Sequence, residues 1–139
     1  MPSDAAYNVA RVRSDASVVL AGGNQYRAKL LPMRIPNILE RAEFRAGKMG
    51  KCDLLHGELL SAGLNCFEAG QEHKAHTHEG QDKLYYVVDG VGELTIAGEK
   101  SHFQAGDLAL APAGVEHGLR NRGPGRLVVL VVFAPPPKP

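Results

Sequence analysis

The chain has no tryptophan and only two cysteines, Cys52 and Cys66, among its 139 residues. Two distant cysteines without C-x-x-C spacing exclude a disulfide-stapled miniature fold and a cysteine-rich zinc module. They are expected to be small, half-buried thiols, because unpaired cysteine packs as a small core residue. An excess of one charge is also missing: 16 Lys and Arg against 15 Asp and Glu leave a formal net charge of +1. The basic residues are scattered, so there is no footprint for a nucleic-acid backbone. Long hydrophobic runs are absent as well. The longest, Leu127 to Ala134, is far too short to span a bilayer as a helix, and no basic-then-apolar leader opens the sequence. These absences predict a cytoplasmic protein with neither a membrane nor a nucleic-acid partner.

What the sequence does have is punctuation. Its 16 glycines and nine prolines divide short apolar segments at intervals of roughly eight to twelve residues, the spacing of an all-β sandwich or barrel. Strands are expected at Leu54–Leu60, Leu64–Glu68, Lys74–His78, Lys83–Val88, Glu93–Ala97, Ser101–Gln104, Leu108–Ala111, Val115–Arg120 and Leu127–Phe133. Turn signals fall between them, among them Ala62-Gly63, Asp89-Gly90 and Gly123-Pro124-Gly125. Leu127–Phe133 is apolar at every position, which implies burial on both faces, against a second sheet or at a subunit interface. Residues 1–50 are more polar, with a short helix expected around Ile38–Phe44 and a strand around Gln25–Leu31. They are expected to form an arm that packs on the barrel (51–134) or on a partner chain. Residues 135–139, rich in proline, are expected to be a disordered tail. The doubly apolar strand and the arm together predict a homodimer.

Chemistry concentrates in two stretches. In Gly70–Gly90, "GQEHKAHTHEGQDKLYYVVDG", His76 and His78 stand two residues apart in a strand-like segment, so alternation sends both imidazoles to one face. A regular strand puts Glu72 and Lys74 on that face too, and His73 on the opposite one, outside the cluster. In Gly106–Asn121, "GDLALAPAGVEHGLRN", a Pro112-Ala113-Gly114 turn precedes His117.

Together these stretches resemble the paired signatures of the cupin superfamily, G-x5-H-x-H-x4-E-x6-G and G-x5-P-x-G-x2-H-x3-N. Gly70, His76, His78 and Gly90 match the first, and Gly106, Pro112, Gly114, His117 and Asn121 match the second. The resemblance implies a double-stranded β-helix, a small jelly-roll barrel, holding a divalent transition metal (Fe, Mn, Ni, Zn or Cu) on His76, His78 and His117. It departs from the pattern at one place. Lys83 stands where the family carries its glutamate, and the neighbouring Asp82 faces the other way.

An ammonium there opposes a metal. At about 5 Å and an effective dielectric of about 20, a +2 ion and a +1 charge repel by roughly 6–7 kcal/mol. Deprotonating an ordinary lysine at neutral pH costs roughly 4–5 kcal/mol. Three readings follow: a three-His metal with Lys83 as neutral base or substrate-anchoring cation, Lys83 replacing the metal in an anion-binding site, or a relic site in a binding module. A fourth arrangement carries the ammonium out to the barrel mouth to pair with Glu72. Metal-dependent, dioxygenase-like chemistry on a small anionic molecule leads. A non-enzymatic sensing or binding protein is the alternative. Lys83 and Tyr85 share a face and are the candidate catalytic residues, Tyr85 more simply as a lining aromatic with its hydroxyl at the rim. His56 and His102 are expected to be structural and solvated respectively, and Asp107 and Asn121 to serve turns.

Overall fold

Apolar alternation in short glycine-bounded segments produces two antiparallel sheets whose inner faces meet. The computed structural model describes residues 10–12, 18–20 and 34–138. Strand β1 (Ala10–Val12) pairs with β2 (Val18–Leu20) as a short ribbon. One turn of 3₁₀ helix, Ile38–Arg41, replaces the longer helix expected there, because Ala42 turns extended and Ala42 and Phe44 then pack on the sheet. The strand expected around Gln25–Leu31 lies outside the described residues.

The remaining strands are β3 (Gly50–His56), β4 (Ser61–Phe67), β5 (Glu72–His76), β6 (Asp82–Asp89), β7 (Val91–Ile96), β8 (Glu99–Gln104), β9 (Leu108–Ala111), β10 (His117–Arg120) and β11 (Leu127–Ala134). One sheet runs β3-β4-β11-β6-β9 and the other β5-β10-β7-β8. This is the jelly-roll barrel anticipated from the sequence. One hairpin differs from expectation. The chain turns at residues 57–60, where the Gly57 N–H donates to the Leu60 carbonyl at 2.8 Å, and not at Ala62-Gly63. Gly63 lies within β4 because a Cβ there would stand 2.7 Å from the Cys52 carbonyl oxygen on β3. It permits close strand approach, the other common use of a strand glycine.

The apolar run of β11 is explained by its position inside its sheet. Leu127, Val129 and Val131 face the core between the sheets, with Phe67, Val87 and Leu94. Val128 and Leu130 face a second cluster with Leu54, Leu64 and Cys66, covered by Ile35, Ile38 and Phe44. Fully burying each such aliphatic side chain is worth roughly 1.5–3 kcal/mol. Arg126 fastens the covering segment: its guanidinium lies 4.2 Å from the Phe44 ring centroid, and its Nε donates to Glu68 at 2.9 Å.

Candidate metal centre

His76 closes strand β5, His78 lies two residues beyond it in the connection to β6, and His117 opens β10. Register places His117 directly opposite His76. The three histidines offer one ligand atom each, all within 4.8 Å of one another. His76 Nε2 and His78 Nε2 stand 3.0 Å apart. The expected pairing of His76 with His78 therefore holds, although the strand ends before His78.

The opposite ring nitrogens are committed elsewhere. His76 Nδ1 donates to the Lys74 carbonyl at 2.6 Å, and His117 Nδ1 to the Val115 carbonyl at 2.9 Å. Each bond fixes the tautomer that leaves Nε2 as a lone pair. His117 is 1% exposed, and its Nε2 is buried without a hydrogen-bond partner. A bare imidazole acceptor in a core is costly, and a cation shared with two neighbouring Nε2 atoms relieves that cost. The donor set fits a divalent metal that favours imidazole.

His73 departs from expectation. It does not face away: its ring centroid lies 4.2 Å from that of His76, and its Nδ1 is buried without a partner. The cause is a β-bulge. His117 pairs with His76 and Leu119 with His73, so a single residue, Gly118, faces both Lys74 and Ala75. The extra residue reverses the alternation, turning His73 inward beside Leu119 and leaving Glu72 exposed. A Cβ at Gly118 would lie 2.9 Å from Ala75 N and 3.1 Å from the His73 carbonyl oxygen. Gly118→Ala is accordingly expected to destabilise the protein by about 2 kcal/mol, a typical overpacking cost, measurable by denaturant unfolding. An unchanged midpoint would contradict this account of the bulge. A glycine inside an expected strand was the available sequence signal.

Lys83 stays inside. It is 1% exposed, its Nζ lies 4.7 Å from the Tyr85 ring centroid and 5.0 Å from that of Phe133, and among the described residues no carboxylate pairs with it. The escape to Glu72 at the barrel mouth does not occur. Burial, assisted by the Lys51 ammonium, lowers the Lys83 pKa to about 8. Tyr85 is also deeper than expected. It is fully buried, its hydroxyl has no hydrogen-bond partner instead of reaching the rim, and burial raises its pKa. Burial and then the Lys83 charge hold His73 down to about 3. Burial and then His76 hold His78 down to about 4, and burial likewise lowers His117. Around neutral pH His73 is uncharged, and so are His78 and His117, as metal ligands must be.

Other residues play supporting parts. Asn121, 1% exposed, donates to the Phe67 and Gly125 carbonyls and accepts from Gly123 N–H. Asp107 accepts from Gln104 N–H in a turn. Asp82 faces outward and accepts from Ala113 N–H at 2.8 Å, tying β6 to the turn before His117. His102 is exposed beside Gln104, and His56 is half-buried. Cys52 and Cys66 are free thiols, and burial pushes Cys66 up to about 12, which makes it inert.

Two facing antiparallel sheets enclosing a converging imidazole cluster define a jelly-roll protein with a candidate internal metal centre. The cupin domain family matches residues 63–133, and the chain belongs to that family. An uncharacterized protein of Streptomyces coelicolor is 34% identical over 95 residues, 68% of this chain and 89% of the relative. An oxalate-binding protein of Thermotoga maritima is 24% identical over 107 residues, covering 76% and 88%. Among solved structures, a protein of Thermus thermophilus superposes with a TM-score of 0.72 at 35% identity, covering 76% of this chain and all 100% of that one.

Proposed function

We propose that this cupin holds one divalent transition metal on His76, His78 and His117 and acts on a small anionic organic molecule, with oxygenation as the reaction class. The observation that carries this reading is the buried, unpartnered Nε2 of His117, converging with two further imidazole donors. Three neutral ligands leave coordination positions open and leave the ion's full charge to attract an anion; the oxalate-binding relative supports an anionic ligand. When bound, the metal supplies Lewis acidity and, if it is iron, manganese, nickel or copper, redox chemistry with oxygen.

The chain's own residues do the rest. Lys83 exchanges a proton at Nζ with the ligand, which its pKa of about 8 suits near neutral pH. Tyr85 donates its unpartnered hydroxyl to orient the ligand. The Tyr85 and Phe133 rings flanking Nζ keep water out. The test is elemental analysis of protein purified without chelator, then oxygen uptake with a panel of small carboxylates. About one ion per chain with carboxylate-dependent oxygen uptake is expected. Anion binding by metal-free protein without turnover would favour a second reading, a binding or sensing cupin with the Lys83 ammonium in the metal's role. Its support is the absence of a carboxylate partner for Lys83 among the described residues.

The protein is also proposed to dimerise. Tyr86, Leu108 and Leu110 form an outward apolar patch on paired strands β6 and β9, with exposures of 39%, 64% and 52%. Sedimentation at micromolar concentration is expected to give a dimer, and Leu108→Glu/Leu110→Glu to give a monomer. A wild-type monomer would refute the assignment.

A further inference from the structure

The site holds an electrostatic contradiction. Its donors are three imidazoles, and the buried Lys83 beside them is a base with no carboxylate partner among the described residues. Lys83 Nζ stands between two rings that themselves touch the ligand set: Tyr85, 6.1 Å from the His117 ring, and Phe133, 5.3 Å from the His78 ring. Two more buried groups there lack hydrogen-bond partners, the Tyr85 hydroxyl and His73 Nδ1. Both can donate, and donors without acceptors at a cationic site call for an anion. Lys83 and His117 are each 1% exposed and Tyr85 0%, so a very small reactant reaches the amine most readily.

We propose that Lys83 is a carbamylation site, whose ε-amine takes up carbon dioxide to become a carboxylate that joins His76, His78 and His117 as a metal ligand. The amine lone pair attacks the carbon of carbon dioxide and forms an N–C bond. One C=O electron pair moves onto oxygen, and one N–H proton leaves to solvent. Nothing is oxidised or reduced. The new group extends about 2 Å beyond Nζ, the sum of a C–N and part of a C–O bond. It turns a +1 charge into −1 beside the cation and gives the Tyr85 hydroxyl and His73 an acceptor. Desolvation, which lowers the Lys83 pKa to about 8, supplies the free amine this reaction needs. Amine and carbamate are alternative states of one side chain. With the amine, the three histidines hold the metal and Lys83 acts on the ligand as proposed above; with the carbamate, Lys83 becomes a further ligand and holds the metal more tightly.

This inference rests on the three-His metal reading, and the experiment separates the two. Metal is titrated into wild type, Lys83→Met and Lys83→Arg in carbon-dioxide-free buffer and again in bicarbonate-equilibrated buffer. In parallel, ¹³C NMR with labelled bicarbonate reports the carbamate, and alkylation with a trialkyloxonium salt followed by peptide mapping locates it on the wild-type chain. Bicarbonate is expected to tighten wild-type metal binding roughly 10–100-fold, the range over which one metal-site group alters affinity. A carbamate signal mapping to Lys83 should accompany it, and neither variant should respond. Metal binding that ignores bicarbonate, with no carbamate at Lys83, overturns the proposal and leaves the three-His site standing. A carbamate at Lys83 that leaves metal affinity unchanged overturns its role as a ligand. Loss of metal binding under both conditions overturns both readings.

Discussion

His76→Ala/His117→Ala is expected to bind no divalent ion under conditions that load the wild-type chain. Two of the three convergent donors are then gone, and His78, beyond the end of β5, is the one member of the set that remains. The consequence extends to stability. A ligand that binds only the folded state stabilises it by about 2.7 kcal/mol at a hundredfold excess over its Kd. Thermal or denaturant unfolding should register that gain for wild type and none for the double variant. Without metal the two should lie closer, since removing the His117 ring loses packing but also removes its unpartnered Nε2. Acid should act on the metal-free protein in a defined direction. Folding holds His78 down to about 4 and His73 to about 3, whereas in the unfolded chain they titrate near 6.5. Between pH 6.5 and 4 the unfolded chain therefore binds more protons, so stability falls as pH falls through that window. His73→Ala should keep the ion, because His73 lies outside the convergent donor set. Full metal occupancy in the double variant would overturn the assignment.

The barrel and the three histidines were legible in the sequence because both rest on local rules. Glycine-bounded alternation marks strands, and two spaced motifs fix the imidazoles near the ends of β5 and β10. What escaped was set by contacts between strands. The bulge that turns His73 inward depends on Gly118 of β10 facing two residues of β5, and a single strand read by itself shows only regular alternation. The same bulge removed Glu72 as a partner for Lys83. The sequence around Gly63 reads as a turn because turns and close strand contacts both select glycine, and only the Cys52 carbonyl beside it decides between them. Tyr85 lies on the expected face, shared with Lys83, but deeper than the rim. Depth along a barrel depends on which residues cap it, here the Phe133 ring at 5.0 Å from the ammonium.

Replacing Lys83 should reveal how far that depth shapes the site. In the folded protein its pKa falls from the ordinary 10.5 to about 8, a difference worth about 3 kcal/mol between protonation states. A folded-state pKa lowered for a base means that the folded protein binds fewer protons between those values. The cost is therefore present in full below pH 8 and is relieved as pH rises toward 10.5. Lys83→Met, similar in volume and apolar, is expected to gain about 3 kcal/mol of stability at neutral pH in metal-free buffer, with a flat response where wild type climbs. Metal affinity should follow the same proton. If the ion binds only the neutral amine, the wild-type Kd at pH 7 is weakened by about one pH unit's worth, roughly tenfold or 1.4 kcal/mol. That is far less than the 4–5 kcal/mol an ordinary lysine imposes. In carbon-dioxide-free buffer the wild-type Kd should tighten about tenfold from pH 7 to 9 and then level off. Lys83→Met should already be at the tight value at pH 7, and Lys83→Glu, which adds a carboxylate, should be tighter still. Equal, pH-independent affinities in wild type and Lys83→Met would show that the ammonium does not face the ion. Metal binding by Lys83→Glu alone would instead establish a metal-free native protein, with the ammonium of Lys83 serving the anion in the metal's place.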